Sequence, residues 1–252
     1  MRPFLKVFYL IFYSVLSENN DVSTTSSTSN VIAAGYSLIL DGVQDYFTIS
    51  SNEFVDIGND ATVSAWIKIA ARLPPNHFRN YVHHVFGHPF GHGPKLKLNQ
   101  KGDEYFIWVE MIDQEEFIDD CAFIDRNTLG LSSESNLNDT KWHHIALTMN
   151  ERQIFTFFDS KAYGVCNRTV TTTPVKNTRN VHLGMCSPHL ESNRQAFAGQ
   201  VDEVAYIKRQ ASEDEINALS RGINPLHLFD VNDVLIYSDF NNDPEKVSGA
   251  VD

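Results

Sequence analysis

Cysteine is scarce in this chain: 252 residues hold only 3, at Cys121, Cys166 and Cys186. An odd number allows at most one internal bridge and leaves one thiol free or available to another chain. No Cys-x-x-Cys pair occurs, which excludes a zinc knuckle. Basic residues are also few. Lys and Arg total 20 against 32 Asp and Glu, a formal net charge of −12. Such a chain repels phosphate backbones, so nucleic acid is not an expected partner. Long helical patterns are missing, and beyond residue 17 no apolar run is long enough to cross a membrane.

What the chain does have is apolar residues in short rows. They make up 42% of it, enough for a real core. A domain of roughly 180 residues buries about 70% of its unfolded surface. Thr62-Val63-Ser64-Ala65-Trp66-Ile67-Lys68-Ile69 alternates strictly, with Val63, Ala65, Ile67 and Ile69 on one face. A slip of one residue would turn the whole row outward, so its register is well specified. Strand patterns also run through Tyr36–Leu40, Asp45–Ile49, Tyr81–Phe86, Leu96–Leu98, Tyr105–Met111, Phe117–Ile124, His144–Met149, Gln153–Phe158, Lys161–Cys166, Asn180–Cys186 and Gln200–Lys208. Turn residues separate them. Many short strands with few helices mean a sandwich or jelly roll.

One helix is spelled out. Ser212-Glu213-Asp214-Glu215 is a capping box, in which Ser212 accepts from the third helical amide and Glu215 reaches back. Glu213 and Asp214 suit the positive end of the helix dipole. Ile216 and Leu219 fall on one face, Gly222 stops the helix and Pro225 prevents its continuation.

The ends of the chain differ from its middle. Arg2 and Lys6 precede a short apolar run to Leu16, with small residues before Glu18. Residues 1–17 therefore predict a signal peptide, or an uncleaved anchor if the cut fails. Residues 18–33 are mostly Asn, Asp, Ser and Thr, a disordered linker by composition. Residues 34–222 form the predicted domain. Residues 223–252 carry a further strand at Asp233–Asn241, either the last of this domain or the start of another. The expected location is secreted, extracellular. Asn138-Asp139-Thr140 and Asn167-Arg168-Thr169 agree with export, since both fit the glycosylation acceptor pattern.

Certain segments then resemble a known family. Leu38-Ile39-Leu40-Asp41-Gly42 with Asp45-Tyr46 looks like the opening hairpin of laminin-G-like, concanavalin A-like jelly rolls. Thr62–Lys68 and Trp142–Thr148 resemble its Trp-bearing and central strands, and Thr156–Lys161 resembles the hairpin that follows. Gly199–Tyr206, entered through a tight glycine turn, and Ser212–Leu219 resemble its closing strand and helix. The resemblance spans about residues 34–220. It implies an all-β, two-sheet antiparallel β-sandwich with one short C-terminal helix. It also implies a non-catalytic module that binds glycan or extracellular protein through loops at the sandwich rim. A glycoside hydrolase on the same fold and a structural or adhesive spacer are the alternatives.

Candidate site residues are few. Cys166 and Cys186 end two apparently neighbouring strands and are the first choice for a disulfide. Such a bridge stabilises by about 3 kcal/mol in the chain-entropy model; buried free thiols are the alternative. Calcium needs six to eight oxygens. Asp41, Asp45, Asp202 and Glu203 supply carboxylates, and Asp202 is the candidate metal ligand. A pentraxin-type calcium site is not expected, because Leu183-Gly184 is followed by Met185-Cys186-Ser187-Pro188. His77, His83, His84, His88 and His92 form a His-rich segment whose Gly and Pro residues forbid a helix, so it reads as a surface loop. A hydrolase would need paired carboxylates on one strand face; Glu110 with Asp113, or Glu115-Glu116, are the nearest approach. Trp66, Trp108 and Trp142 could stack on sugars but suit a core. The family's Asp-Gly hairpin turn is Asp159-Ser160 here, and Ser tolerates positive φ less well, which leaves room for a different turn.

Overall fold

The computed structural model describes residues 37–42, 45–50, 56–57, 60–70, 80–87, 93–101, 104–113, 116–121, 140–168, 175–176, 180–184 and 196–240. The strands are β1 (Leu38–Asp41), β2 (Phe47–Ser50), β3 (Asp56–Ile57), β4 (Ala61–Ile69), β5 (Asn80–Gly87), β6 (Gly93–Lys101), β7 (Glu104–Asp113) and β8 (Glu116–Cys121). They continue as β9 (His143–Met149), β10 (Gln153–Phe158), β11 (Lys161–Asn167), β12 (Val175–Lys176), β13 (Asn180–Leu183), β14 (Ala198–Ile207) and β15 (Val234–Ser238). One helix, α1 (Glu213–Leu219), precedes a 3₁₀ turn at Pro225–His227.

Two antiparallel sheets hold nearly all of these strands. The first has the order β1-β14-β4-β9-β10-β11, with β15 also on β14; the second runs β2-β13-β5-β6-β7-β8. β3 and β12 form a separate pair. β1 pairs with the start of β14 and β15 with its end, so β15 continues the edge that β1 begins. The 234–238 strand thus joins the first sheet.

The alternating row of β4 sets the inner face. Val63, Ala65, Ile67 and Ile69 are all buried. They join Ile145, Leu147 and Met149 of β9 and Val201, Val204 and Tyr206 of β14. From the other sheet come Phe86, Leu96, Leu98, Ile107 and Val109. A second cluster lies on the opposite face of the first sheet. There Ala146, Phe157, Ala205 and Ile207 receive Ile216 and Leu219 of α1 and Phe229. β9 is therefore covered on both faces, and all seven of its residues are buried. Burying a Leu or Ile stabilises by about 1.5–3 kcal/mol, so these two layers dominate the energetics.

Local rules place α1. Ser212 Oγ accepts from the Glu215 amide at 3.3 Å, and Glu215 accepts from the Ser212 amide at 2.8 Å. Arg209 binds Glu215 through both terminal guanidinium nitrogens, which pulls that carboxyl down to about 2. The Ala211 amide donates to Thr62 and to Thr148, each at 2.9 Å, fixing the helix lead-in to β4 and β9.

Two expectations need correction. Gly199 lies inside β14 between β1 and β4, not in a turn before it. Its φ is 153°, and a side chain there would collide with the Lys68 carbonyl oxygen. The Asp159-Ser160 hairpin keeps a two-residue turn with φ of 46° and 66°, the left-handed pair that hairpins favour. Asp159 stabilises that geometry itself. Its carboxylate accepts from the His144 amide at 2.9 Å and lies 2.8 Å from His143 Nδ1.

Candidate functional site

The residues around Asp202 make the most unusual surface of the first sheet. In the β14–β4 register Asp202 stands opposite Trp66 and Ala205 opposite Ser64. Two residues, Glu203 and Val204, therefore oppose Ala65 alone. This is a β-bulge, which re-aims side chains and often lies beside a functional site. Glu203 has φ 48°, a left-handed conformation that a non-glycine residue adopts only under local constraint.

The constraint is visible in the hydrogen bonds. Asp202 Oδ1 accepts from the Glu203 amide at 2.8 Å. Tyr237 of β15 donates its phenol to Glu203 Oε2 at 2.6 Å. Val201 and Val204 point into the core, so Asp202 lies on the outer face with its cross-strand neighbour Trp66. Trp66 is half-buried and packs edge-on against His144 at 5.6 Å between ring centroids. His144 is fully buried, and burial lowers its pKa to about 4, so it is neutral near pH 7.

Burial also dominates the carboxyls. Asp202 is pushed up to about 7 by desolvation, and the negative charges of Glu203 and Asp239 add to the rise. Glu203 is raised by desolvation as well, with its Tyr237 bond pulling the other way. Tyr237 is raised, first by burial and then by its bond to Glu203. The surface thus offers carboxyl oxygens, a phenol and the side of an indole. That set suits hydrogen bonding to hydroxyls with an apolar ring face alongside.

Other candidates are more dispersed. Asp41 and Asp45 bond each other's amides at 3.0 and 3.1 Å and close the turn after β1. Asp41 pairs with Ala198, four positions before Asp202 on β14, or about 13 Å away at strand rise. Among the described residues, no group of three His, Cys, Asp or Glu side chains stands ready to hold a metal ion. Glu110 sits opposite Lys95 and Asp120, whereas Asp113 is three residues further along β7 and of opposite parity. The side chains of Glu110 and Asp113 lie outside the described residues. Glu115 and the side chain of Glu116 lie outside the described residues, as does the side chain of Trp108. Trp142 is half-buried.

The surface-loop reading of the His-rich segment is overturned for two of its members. His83 and His84 belong to β5 and are buried. Alternation turns His83 inward, edge-on to Phe197 at 6.4 Å. His84 lies on the outer face with Gly87 and Lys95. Lys97 and His182 are buried on that same face, a basic band that sequence reasoning missed. Its only signal was the alternation of Lys95 and Lys97 with Leu96 and Leu98. His77, His88 and His92 lie outside the described residues.

Cys166 is half-buried near the end of β11 and touches the inter-sheet core. β11 and β13 belong to different sheets, so the strands leading to Cys166 and Cys186 are not neighbours as expected. Cys186 itself, Asn138, the predicted signal peptide and the predicted linker lie outside the described residues. Asn167 is exposed at the end of β11. No described helix is long and apolar enough to cross a membrane.

A laminin-G family model, described as the concanavalin A-like lectin/glucanases superfamily, matches residues 41–217. The chain belongs to this family. Among curated proteins no relative matches it. Solved structures share the laminin-G-like sandwich. A native heptameric SAP-like pentraxin from Limulus polyphemus aligns with TM-score 0.51 and 11% identity, covering 73% of this chain and 81% of that one. A Bacteroides ovatus protein, named for a proposed carbohydrate-binding role, gives TM-score 0.54 at 11% identity over 82% of this chain and 51% of that one. The binding domain of Paraclostridial Mosquitocidal Protein 1 gives 0.50 at 16% identity over 72% and 42%. The chain thus spans about half or less of the last two. At these identities the likeness is one of fold. The Asp202 bulge lies within the matched laminin-G-like region.

Proposed function

We propose that this chain is an exported, non-catalytic recognition module that binds glycan or extracellular protein. Membership of the concanavalin A-like lectin/glucanases superfamily across residues 41–217 carries this reading. The name of the Bacteroides ovatus neighbour supports the glycan version. The outer-face set of Asp202, Glu203, Tyr237 and Trp66, together with the rim segments, forms the contact surface. Carboxyl and phenol oxygens bond sugar hydroxyls, and the indole covers an apolar ring face. Pairing of Cys166 with Cys186 belongs to the same reading, because such bonds persist in oxidising compartments. The N-terminal segment directs export, and calcium assists binding if the rim segments supply the missing oxygens.

The test is a glycan and matrix-protein array probed with the secreted chain, with and without EDTA. Selective binding to a glycan class or a matrix protein is expected, and its loss with EDTA would add the calcium role. No signal on any glycan or matrix protein would overturn the reading.

A further inference from the structure

We infer that the outer face of the second sheet binds a small, doubly charged oxyanion of the sulfate or phosphate type. The inference does not depend on the Asp202 surface. β6 alternates Lys95 and Lys97 with Leu96 and Leu98. The two leucines join the core, so both lysines point to the other face. His84 stands opposite Lys97, and His182 stands opposite Gly87. Val181 and Leu183 face the core, so His182 turns outward as well. These four basic side chains are at most 5% exposed.

A β-bulge gathers them. His84 and Gly87 are three residues apart, which in an unbroken strand puts them on opposite faces. The register of β5 against β6 shifts between His84 and Phe86, and Val85 and Phe86 both enter the core. His84 and Gly87 therefore share the outer face. A Cβ on Gly87 would lie 2.8 Å from His84 Cε1 and 2.8 Å from Lys95 Cγ. The imidazole and the lysine stem thus meet over the glycine, where a larger residue would push them apart. Tyr46 borders the cluster, its ring centroid 5.5 Å from that of His182.

Charge and enclosure select the ligand. An ammonium taken out of water needs a counter-charge close by. Lys95 and Lys97 bring two positive charges into one enclosed patch, and a dianion matches both. Ammonium and imidazole N–H groups donate, which suits a ligand whose several oxygens accept. Side chains this enclosed admit a free ion and not a sugar polymer.

The experiment uses the full chain in a buffer free of sulfate and phosphate. Melting temperature and calorimetric heats are followed as sodium sulfate or sodium phosphate is added, against sodium chloride at equal ionic strength. A saturable rise in melting temperature with sulfate or phosphate, and none with chloride, is expected. Lys95→Met should weaken sulfate binding about tenfold while melting no lower than the wild type in the sulfate-free buffer. Lys95→Arg should keep the binding. Undiminished binding by Lys95→Met would overturn the inference. So would an unsaturating response shared by all three proteins, which is the general stabilising effect of sulfate. A lower melting temperature of Lys95→Met without sulfate would also count against it, because the ammonium would then already be paired within the chain. A sulfated disaccharide that binds more tightly than inorganic sulfate would refute the choice of a free ion.

Discussion

Asp202 and Glu203 are adjacent carboxyls at the point where β14 carries an extra residue. Neither has a basic partner in a described ion pair; Tyr237 and the Glu203 amide take their place. The consequence is a pH dependence of known sign. The folded-state pKa of Asp202 lies near 7, above its ordinary 3.8. The folded state therefore binds the proton more tightly than the unfolded state does. Its contribution to stability is complete below about pH 4 and is lost as pH rises through 7. Asp202→Asn keeps the acceptor for the Glu203 amide and removes this titration. Melting temperatures measured from pH 4 to 8 should show the variant gaining on the wild type as pH rises, with the gap levelling above 7. A constant gap would contradict the assignment. Glu215 carries the opposite sign, since Arg209 holds it down to about 2 and its contribution fades only in acid.

The elements show why parts of the molecule were legible and others were not. β4 alternates in residue type because one face meets the core, and its inward row appears as read. α1 was legible because its capping box is written in consecutive residues. β9 is buried along its whole length, so alternation cannot say which face meets the other sheet and which meets α1. The bulge at Glu203 was invisible, since no glycine or other residue type marks it. The burial of His83 and His84 was missed because the flanking Gly and Pro outweighed a short strand. The junction of α1 with the sheet makes a measurable claim. Thr62 and Thr148 together accept the Ala211 amide, and Thr62 also donates to the Arg209 carbonyl at 2.8 Å. Changing both threonines to Val leaves buried backbone groups unpaired. Urea denaturation should register a loss of about 1–3 kcal/mol. Each single change should cost much less at Ala211, because the other hydroxyl still accepts. Equal effects of single and double variants would contradict the shared-acceptor geometry.

At the scale of the whole molecule, two sheets enclose one core while the first sheet buries part of its outer face under α1. That arrangement leaves the Asp202 surface beside, not beneath, the helix-side cluster. Two carboxyls raised by burial, Asp202 and Glu203, sit together at the bulge. The family pattern was legible in the order of its strands. The position of the acidic surface depends on a register shift that only three dimensions reveal. The decisive measurement is a calorimetric titration of the strongest array ligand into wild type and Asp202→Asn near pH 7.5. The variant should bind at least about tenfold more weakly, a loss of about 1.4 kcal/mol, while melting no lower than the wild type. Undiminished affinity in a stably folded variant would contradict a recognition surface at Asp202.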